Sequence, residues 1–424
     1  MCRRMTLFLL IERKISMLSQ FSVKNYKSIR DEITLDMQAV AISELANHII
    51  EDKDAEKYLP VASIYGPNGG GKSNVLEAFQ VLVAKVTRPM YVATSSSDQE
   101  LALKRIPVVP FAFSDDTRNA ATEFEVFFRT ETSEYRYILH VQTEQVIYEQ
   151  LDRVKKDTGR KSALFERENG TIVLKGALSS LKVGDGVSNT IPLLSYLGIT
   201  YSENEVIKEV MDWFVNGVSF LNYGNPFQEA RILVDQSEDI KKLVLNIIKE
   251  MDLDIDDFRI EEEDNNKVEI YTKHIVDGKD IELKLAEESS GTRKIFGLLP
   301  FVANSVIKGG TLIIDELDAK IHPVLLKYII ELFSDKEKNR HGAQLIFTSH
   351  DLSTMNNEVF RRDEIWFVAK GKSQNSKLYS LVEFKNDKGE SVRKDAKYDK
   401  QYLEGKYGAD PYLQKIIDWS QPNA

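Results

Sequence analysis

A glycine-rich stretch, residues 66–73 (GPNGGGKS), constrains the fold more than any other part of this sequence. It follows an apolar, strand-like run (VASIY, 61–65) and precedes a helix-like run (NVLEAF, 74–79), so G-x-x-x-x-G-K-[ST] stands in the strand–loop–helix context it requires. Backbone N–H groups of such a loop surround phosphate oxygens, and the helix N-terminus adds its positive end. The predicted nucleotide-binding residues are Gly66, Pro67, Asn68, Gly69, Gly70, Gly71, Lys72, Ser73 and Asn74.

Two residues of this loop have specific predicted roles. Lys72 is expected to reach the β- and γ-phosphates of ATP, and the Ser73 hydroxyl is expected to bind Mg²⁺. The pattern therefore predicts an α/β domain that uses ATP and Mg²⁺.

Two carboxylates end a second apolar run. Residues 311–314 (TLII) have the composition of a short buried strand, and Asp315 and Glu316 follow directly. A carboxylate at the end of a parallel strand beside a phosphate loop can hold Mg²⁺, and the adjacent one can polarise the attacking water. We assign Asp315 to the metal and Glu316 to the general base.

A third apolar run, residues 343–347 (AQLIF), ends in Thr348, Ser349 and His350. His350 follows Glu316 by 34 residues and falls where a sensor of the γ-phosphate is expected. The alternative is a histidine that caps a loop.

The stretch 286–302 (AEESSGTRKIFGLLPFV) has two interpretations. Ser289 or Ser290 is a good N-cap for the helix predicted by the apolar spacing that follows, and the two preceding glutamates suit the positive end of that helix. The same N–H groups and hydroxyls could instead face an anion.

The order of these motifs resembles the ATP-binding-cassette class of ATPases, in which a serine–glycine signature precedes the acidic strand. Ser290 precedes Asp315 by 25 residues, which suits that order. The resemblance implies that Ser289, Ser290 and Gly291 contact ATP bound by a second copy. Two chains would then form a head-to-tail homodimer, or a higher oligomer, and the cap would face the other molecule's ATP.

More specifically, the chain resembles the RecF/OLD-like AAA family ATPases of bacterial antiphage and abortive-infection systems. The resemblance rests on FSVKNYKSI near the start, the motifs above, RRDEIWFV, and YLEGKYGADP near the end. It implies an ATPase scaffold that controls a separate effector protein, often a nuclease. OLD-type nucleases carry a further metal-binding domain; only 74 residues follow His350, so no attached nuclease is expected.

These observations predict an ABC-type P-loop ATPase head with a mixed sheet and an inserted helical lobe. The sequence contains no sustained heptads, so no long coiled coil is expected. Residues 1–16 are interpreted as an extension or an upstream start. Residues 17–150 and 267–424 are predicted to form the ATPase lobes, with a mostly helical lobe at 151–266.

Composition separates two function classes. The net charge of −10, the single cysteine and the lack of a transmembrane pattern favour a cytoplasmic protein with no membrane partner. The acidic net charge and the missing coiled coil favour a defence scaffold over the alternative, a RecF/SMC-like ATPase that grips DNA in repair or chromosome maintenance. DNA nevertheless stays a possible partner.

One feature of the ABC class cannot be assigned to a single residue, and another is assigned to two residues after the acidic pair. The Mg²⁺-bridging glutamine expected after the first helix is Gln99, Gln142 or Gln145, and the sequence does not distinguish among them. Asp318 and His322, which follow the acidic pair, are predicted to lie at the dimer seam.

Overall fold

The computed structural model describes residues 16–94, 107–184, 187–221, 226–251, 253–263, 267–386 and 388–409. Most of the predicted N-terminal extension, the candidate Gln99 and the end of the C-terminal tail lie outside these ranges. The described residues form two large β-sheets, smaller sheets, and helices that pack against them.

One large sheet carries the phosphate loop. Its strands are β5 (Val61–Tyr65), β11 (Val218–Leu221), β15 (Thr311–Ile314), β16 (Gln344–Thr348), β17 (Ile365–Lys370) and β18 (Ser376–Ser380). Their order is β11-β15-β16-β5-β17-β18, and all pairs are parallel except β17 with β18. Every residue of β5, β15 and β16 is buried, as is typical of a parallel sheet covered on both faces. The predicted mixed sheet is confirmed.

The second large sheet is antiparallel. Its strands are β1 (Met17–Lys24), β2 (Ile33–Asp36), β6 (Thr122–Arg129), β7 (Ser133–Gln142), β8 (Gln145–Lys155), β9 (Lys161–Glu168) and β10 (Thr171–Leu174). Their order in the sheet is β10-β9-β8-β7-β6-β1-β2. Burial alternates along the strands because one face packs inward and the other meets solvent. Residue 150, where the predicted first lobe ends, lies inside β8, and residues up to 174 continue this sheet.

Two hydrophobic cores lie on opposite faces of the mixed sheet. Ala62 and Ile64 of β5 point into the core shared with the antiparallel sheet and the helix α1 (Lys72–Thr94). Val61 and Tyr65, the alternate residues, point into the core shared with the two helices that flank β15. The strand period of two therefore divides a single apolar run between two cores.

The remaining helices follow in chain order. They are α2 (Asp115–Arg118), α3 (Leu193–Thr200), α4 (Glu205–Asp212), α5 (Pro226–Gln236), α6 (Glu238–Glu250), α7 (Ser290–Lys308), α8 (Pro323–Ser334) and α9 (Tyr398–Leu403). α3 packs on α1, whereas α5 and α6 pack on α7. The helices of the predicted inserted lobe thus contact both halves of the ATPase core.

Two small sheets complete the described structure. β12 (Asp257–Glu263), β13 (Lys267–Val276) and β14 (Lys279–Lys284) form an antiparallel sheet that leads directly into α7. β3 (Ile50–Glu51) and β4 (Lys57–Tyr58) form a short ribbon. α1 is the longest helix among the described residues, so no long coiled coil occurs in this part of the chain. None of these helices has the length and apolar content needed to cross a membrane.

Candidate nucleotide site

The registers of the parallel strands bring the predicted motifs to one edge of the mixed sheet. Ile64 pairs with Thr348, and Phe347 pairs with Ile314, so β5, β16 and β15 end at the same level. The phosphate loop, the acidic pair and His350 therefore leave the sheet side by side. Ligands of open α/β sheets bind at this carboxyl edge.

The phosphate loop leaves β5 under close contact with the neighbouring strand. A Cβ atom built on Gly66 would lie 2.4 Å from the Val368 carbonyl oxygen of β17, so only glycine fits at this position. The loop then runs over exposed Asn68 and Gly69 and enters α1 at Lys72. This is the strand–loop–helix arrangement that the sequence predicts.

Lys72 is buried, and its ammonium group lies inside the loop. Nζ donates to the Gly66 carbonyl at 2.9 Å and to the Pro67 carbonyl at 3.3 Å. Burial lowers the pKa of Lys72, whereas the negative charges of Asp315, Glu316 and Asp318 act in the opposite direction. These carboxylates are thus close enough to influence the lysine electrostatically.

The acidic pair is fixed by Thr348 at the end of β16. Thr348 Oγ1 donates to Asp315 Oδ1 at 2.5 Å and accepts from the Glu316 backbone N–H at 2.7 Å. The Thr348 carbonyl accepts from Leu317 N–H at 3.1 Å. Glu316 adopts φ +50°, which turns the chain sharply after β15 and leaves this residue exposed. The strand spacing alone did not identify Thr348 as a site residue.

His350 and Asp318 are connected through the backbone. His350 N–H donates to Asp318 Oδ2 at 3.1 Å, and the His350 residue is exposed. Asp318 Oδ1 is buried and has no hydrogen-bond partner among the described residues. His322, the other residue predicted at the dimer seam, caps α8 by accepting from Val324 N–H at 3.3 Å.

The serine–glycine stretch begins α7. Ser289 is the N-cap: its Oγ accepts from Thr292 N–H at 3.1 Å and lies 2.9 Å from Thr292 Oγ1. The cap interpretation is thereby confirmed for Ser289. Ser290 is exposed and Gly291 is half-buried, so this helix start lies at the surface of the chain. That position leaves the second interpretation, contact with an anion, open to test.

Two serines that the sequence did not single out brace the phosphate loop. Ser376 Oγ, at the start of β18, lies 2.7 Å from the Gly70 carbonyl oxygen and 2.8 Å from Ser28 Oγ. Asn74 Nδ2 donates to Ser28 Oγ at 2.7 Å. Ser28 and Ser376 are 348 residues apart, so no local pattern announces their contact.

The described glutamine candidates for a Mg²⁺ bridge both lie in the antiparallel sheet. Gln142 ends β7, where its amide donates to the Asn119 carbonyl, and Gln145 begins β8. Their positions on one hairpin do not distinguish between them.

Comparison with known proteins gives both sequence and structural relatives. The chain is similar to the Thermotoga maritima SMC head domain (16% identity, TM-score 0.42, 86% of this chain and 98% of that one). It is also similar to an SmcHead bound to the C-winged helix domain of ScpA (16% identity, TM-score 0.46, 86% of this chain and 97% of that one). A third similar structure is the Pyrococcus furiosus Smc head with an extended coiled coil (14% identity, TM-score 0.40, 86% of this chain and 96% of that one).

No curated protein matches the sequence. A protein family does: residues 61–356 match the family described as "AAA domain, putative AbiEii toxin, Type IV TA system". This match spans the phosphate loop, the helix start at Ser289, the acidic pair and His350, and it covers more than half of the chain. The chain therefore belongs to this family of AAA-domain proteins.

Proposed function

We propose that this protein hydrolyses ATP in a Mg²⁺-dependent reaction and uses the ATP-bound state to close a head-to-tail dimer. The observation that carries the proposal is the single sheet edge where the phosphate loop, the Thr348-held acidic pair and His350 converge. The family match supports an ATPase of this type.

In the proposed reaction the phosphate loop binds ATP. Phosphate oxygens compete with the Gly66 and Pro67 carbonyls for Lys72 Nζ, which already lies inside the loop. The backbone N–H groups of residues 66–74 and the N-terminus of α1 supply further donors. The loop therefore fits a triphosphate without a large rearrangement of the lysine.

Ser73 and Asp315 would hold the metal. Ser73 is exposed at the start of α1, and Thr348 fixes the orientation of the Asp315 carboxylate by occupying one of its oxygens. The described residues contain no group of three His, Cys, Asp or Glu side chains suited to a metal ion. A donor set of one hydroxyl, from Ser73, and one carboxylate, from Asp315, fits Mg²⁺, which is often bound by one or two protein ligands together with phosphates and water. When bound, Mg²⁺ neutralises charge that develops on the phosphates.

Glu316 would orient the attacking water. Its backbone N–H is fixed by Thr348, and its φ of +50° leaves it exposed next to the metal-binding carboxylate. His350, on the adjacent loop, would contact the γ-phosphate. In the step itself the water oxygen bonds to the γ-phosphorus and its proton passes to the Glu316 carboxylate, while the bond from the γ-phosphorus to the bridging oxygen breaks; ADP and inorganic phosphate leave, and Glu316 returns the proton to solvent.

The helix start at Ser289, Ser290 and Gly291 would complete the site of a second chain. Its exposure and its cap geometry suit an approach to an anion. Asp318, also predicted at the dimer seam, lies on the loop that follows Glu316 and accepts from the His350 N–H. ATP binding then closes the dimer and hydrolysis reopens it.

The biological output we propose is a sensor scaffold in bacterial antiphage defence, working in the cytoplasm and controlling a separate effector such as a nuclease. The family description includes the words "putative AbiEii toxin, Type IV TA system", and a toxin–antitoxin system has two components. This supports a separately encoded partner. The net charge of −10 also disfavours a surface that grips DNA.

The solution mass of Glu316→Gln tests the proposal. Slowing hydrolysis should trap the closed state, so Mg²⁺-ATP is expected to raise the mass measured by light scattering from 48.4 kDa towards twice that value. Adding Ser290→Arg should block this rise without preventing ATP binding, and Lys72→Ala should prevent both.

Two results would contradict the proposal. If the solution mass of Glu316→Gln does not change when Mg²⁺-ATP is added, the proposal of an ATP-gated dimer is wrong. Tight, salt-sensitive DNA binding by the purified chain, together with such an invariant mass, favours the chromosome-maintenance alternative instead.

A further inference from the structure

Lys294 connects the signature helix to the loop that follows the acidic pair. It lies on α7, four residues after Ser290. Its Nζ donates to the carbonyl oxygens of Glu316 at 3.1 Å and Leu317 at 3.3 Å, and also to the Ala319 carbonyl. One side chain of α7 therefore satisfies three backbone acceptors of the same loop.

The loop needs such a donor because its backbone does not form a regular element. Glu316 and Lys320 both have positive φ, +50° and +61°, and the turn between them directs several carbonyl groups to one point. An ammonium group carries three N–H donors and matches three converging acceptors. Burial lowers the pKa of Lys294 to about 8 despite the nearby negative charges of Asp318 and Glu316. Placing the lysine here thus carries a desolvation cost, which a solvent-exposed position would avoid.

The start of α7 is attached on its other side as well. Glu288, directly before the cap, accepts from Thr272 Oγ1 at 2.7 Å and contacts His274 Nε2 at 2.8 Å, and both partners lie on β13. The cap itself is closed by Thr292. The signature is therefore part of a rigid segment, and Lys294 links that segment to the loop carrying Glu316.

We propose that Lys294 is a positioning residue that makes the Glu316 loop and the signature of the same chain move together. The inference rests on the proposed function. In a head-to-tail dimer, Glu316 serves the chain's own ATP, whereas Ser289 and Ser290 serve the ATP of the partner. Lys294 then transmits the state of one site to the other through a single side chain, and its loss misplaces Glu316 without altering the phosphate loop.

Lys294→Met tests this inference because it keeps the length of the side chain and removes the donors. Lys327→Met is the matched control: Lys327 lies half-exposed on α8 and pairs with Glu331 of the same helix. The Kd for ATP is measured by titration with a fluorescent ATP analogue, and kcat by phosphate release. We expect Lys294→Met to keep Kd within about twofold and to lower kcat by about tenfold or more, equivalent to ~1.4 kcal/mol in the barrier. Lys327→Met should change neither value.

A conservative variant separates positioning from general stability. Lys294→Arg keeps the charge and N–H donors, so it is expected to recover part of the lost kcat. If Lys294→Met does not fold, the same measurements on Lys294→Leu, which also lacks N–H donors, decide the question by the same criterion.

The results that overturn the inference differ from those that overturn the proposed function. The inference fails if Lys294→Met retains wild-type kcat while Glu316→Gln loses hydrolysis. It also fails if kcat, Kd and thermal stability all decline together without recovery in Lys294→Arg, since the lysine is then structural. If wild type and Glu316→Gln hydrolyse ATP equally, the proposed function fails, and the inference with it.

Discussion

Two glycines of the phosphate loop provide a matched test of how the loop is built. Gly69 and Gly71 both have positive φ, +71° and +107°. A Cβ on Gly69 meets no atom within 4 Å, whereas a Cβ on Gly71 would lie 2.4 Å from Ser376 Oγ and 2.6 Å from Ser28 Oγ. Gly69→Ala therefore introduces backbone strain alone, and Gly71→Ala adds a collision with the two bracing serines.

The expected costs follow from these contacts. A left-handed backbone costs a residue with a Cβ roughly 1–2 kcal/mol, which applies to both variants. Gly71→Ala must also displace the hydroxyl of Ser376 from the Gly70 carbonyl, and an unpaired buried polar group costs about 1–3 kcal/mol. We therefore expect about 1–2 kcal/mol for Gly69→Ala and about 2–5 kcal/mol for Gly71→Ala.

Two free energies must be measured for each variant, that of unfolding and that of ATP binding. A loop that relaxes in the free protein has to be restored when phosphate binds, so the cost is divided between unfolding and ATP binding. Urea unfolding gives the first part and calorimetric ATP titration gives the second, and the two are added for each variant. If Gly71→Ala cost about 3 kcal/mol and this cost appeared only in ATP binding, the affinity for ATP would fall about 100-fold.

The double variant Gly71→Ala/Ser376→Gly provides the control. It removes the nearer of the two collisions and should recover part of the cost relative to Gly71→Ala. Equal summed costs for Gly69→Ala and Gly71→Ala would refute the bracing role of Ser28 and Ser376.

Two further predictions concern stability. Ser289→Ala should lower the free energy of unfolding by about 1 kcal/mol because Thr292 N–H loses its acceptor, with exposed Ser290→Ala as the near-neutral control in thermal unfolding. Burial raises the pKa of Glu149, although the N–H groups of Leu194 and Leu193 and the Tyr137 hydroxyl oppose this. The native state therefore holds this proton more tightly than the unfolded chain, and the associated stability is lost as pH rises above 4.5 through the native pKa. Relative to wild type, the Tm of Glu149→Gln should improve from pH 5 to pH 8; an unchanged or falling difference contradicts this sign.

The parts of the site that the sequence could predict are those with a local pattern. The phosphate loop is contiguous, and the acidic pair directly follows a buried strand, so spacing within a few residues locates both. The predicted strand at residues 311–314 coincides with β15, and the strand predicted at 343–347 differs from β16 by one residue at each end. Their alignment at one sheet edge follows from parallel pairing.

The residues that set the geometry of the site carry no such pattern. Thr348, Ser376 and Lys294 act through contacts with segments 22 to 348 residues away. Serine, threonine and lysine are common residue types, and their spacing around these positions is unremarkable. Only the assembled sheets show which of them meet.

The division into two sheets shows a similar limit. The sequence contained the distinction, because polar and apolar residues alternate along much of β6 and β7, whereas β5 and β15 are nearly continuous apolar runs. The prediction of a mixed sheet nevertheless did not separate it from a second, antiparallel sheet, since alternation identifies an exposed face without identifying the strand's neighbours. β1, for example, pairs with β2 and β6 in the antiparallel sheet.

The bracing contacts have a consequence for how nucleotide binding relates to the fold. Ser28 lies in the turn between β1 and β2 of the antiparallel sheet, whereas Ser376 begins β18 of the mixed sheet, and the phosphate loop lies against both. Docking of the two sheets therefore stabilises the described shape of the loop. A ligand that requires this shape stabilises the docked arrangement, by about 2.7 kcal/mol at a concentration 100 times its Kd. By the same linkage, a partner that shifts the antiparallel sheet away from β18 weakens ATP binding without touching the nucleotide. The antiparallel sheet is thus connected to the phosphate loop through the Ser28 and Ser376 hydroxyl groups, which would give the effector proposed above a physical route to the ATP site.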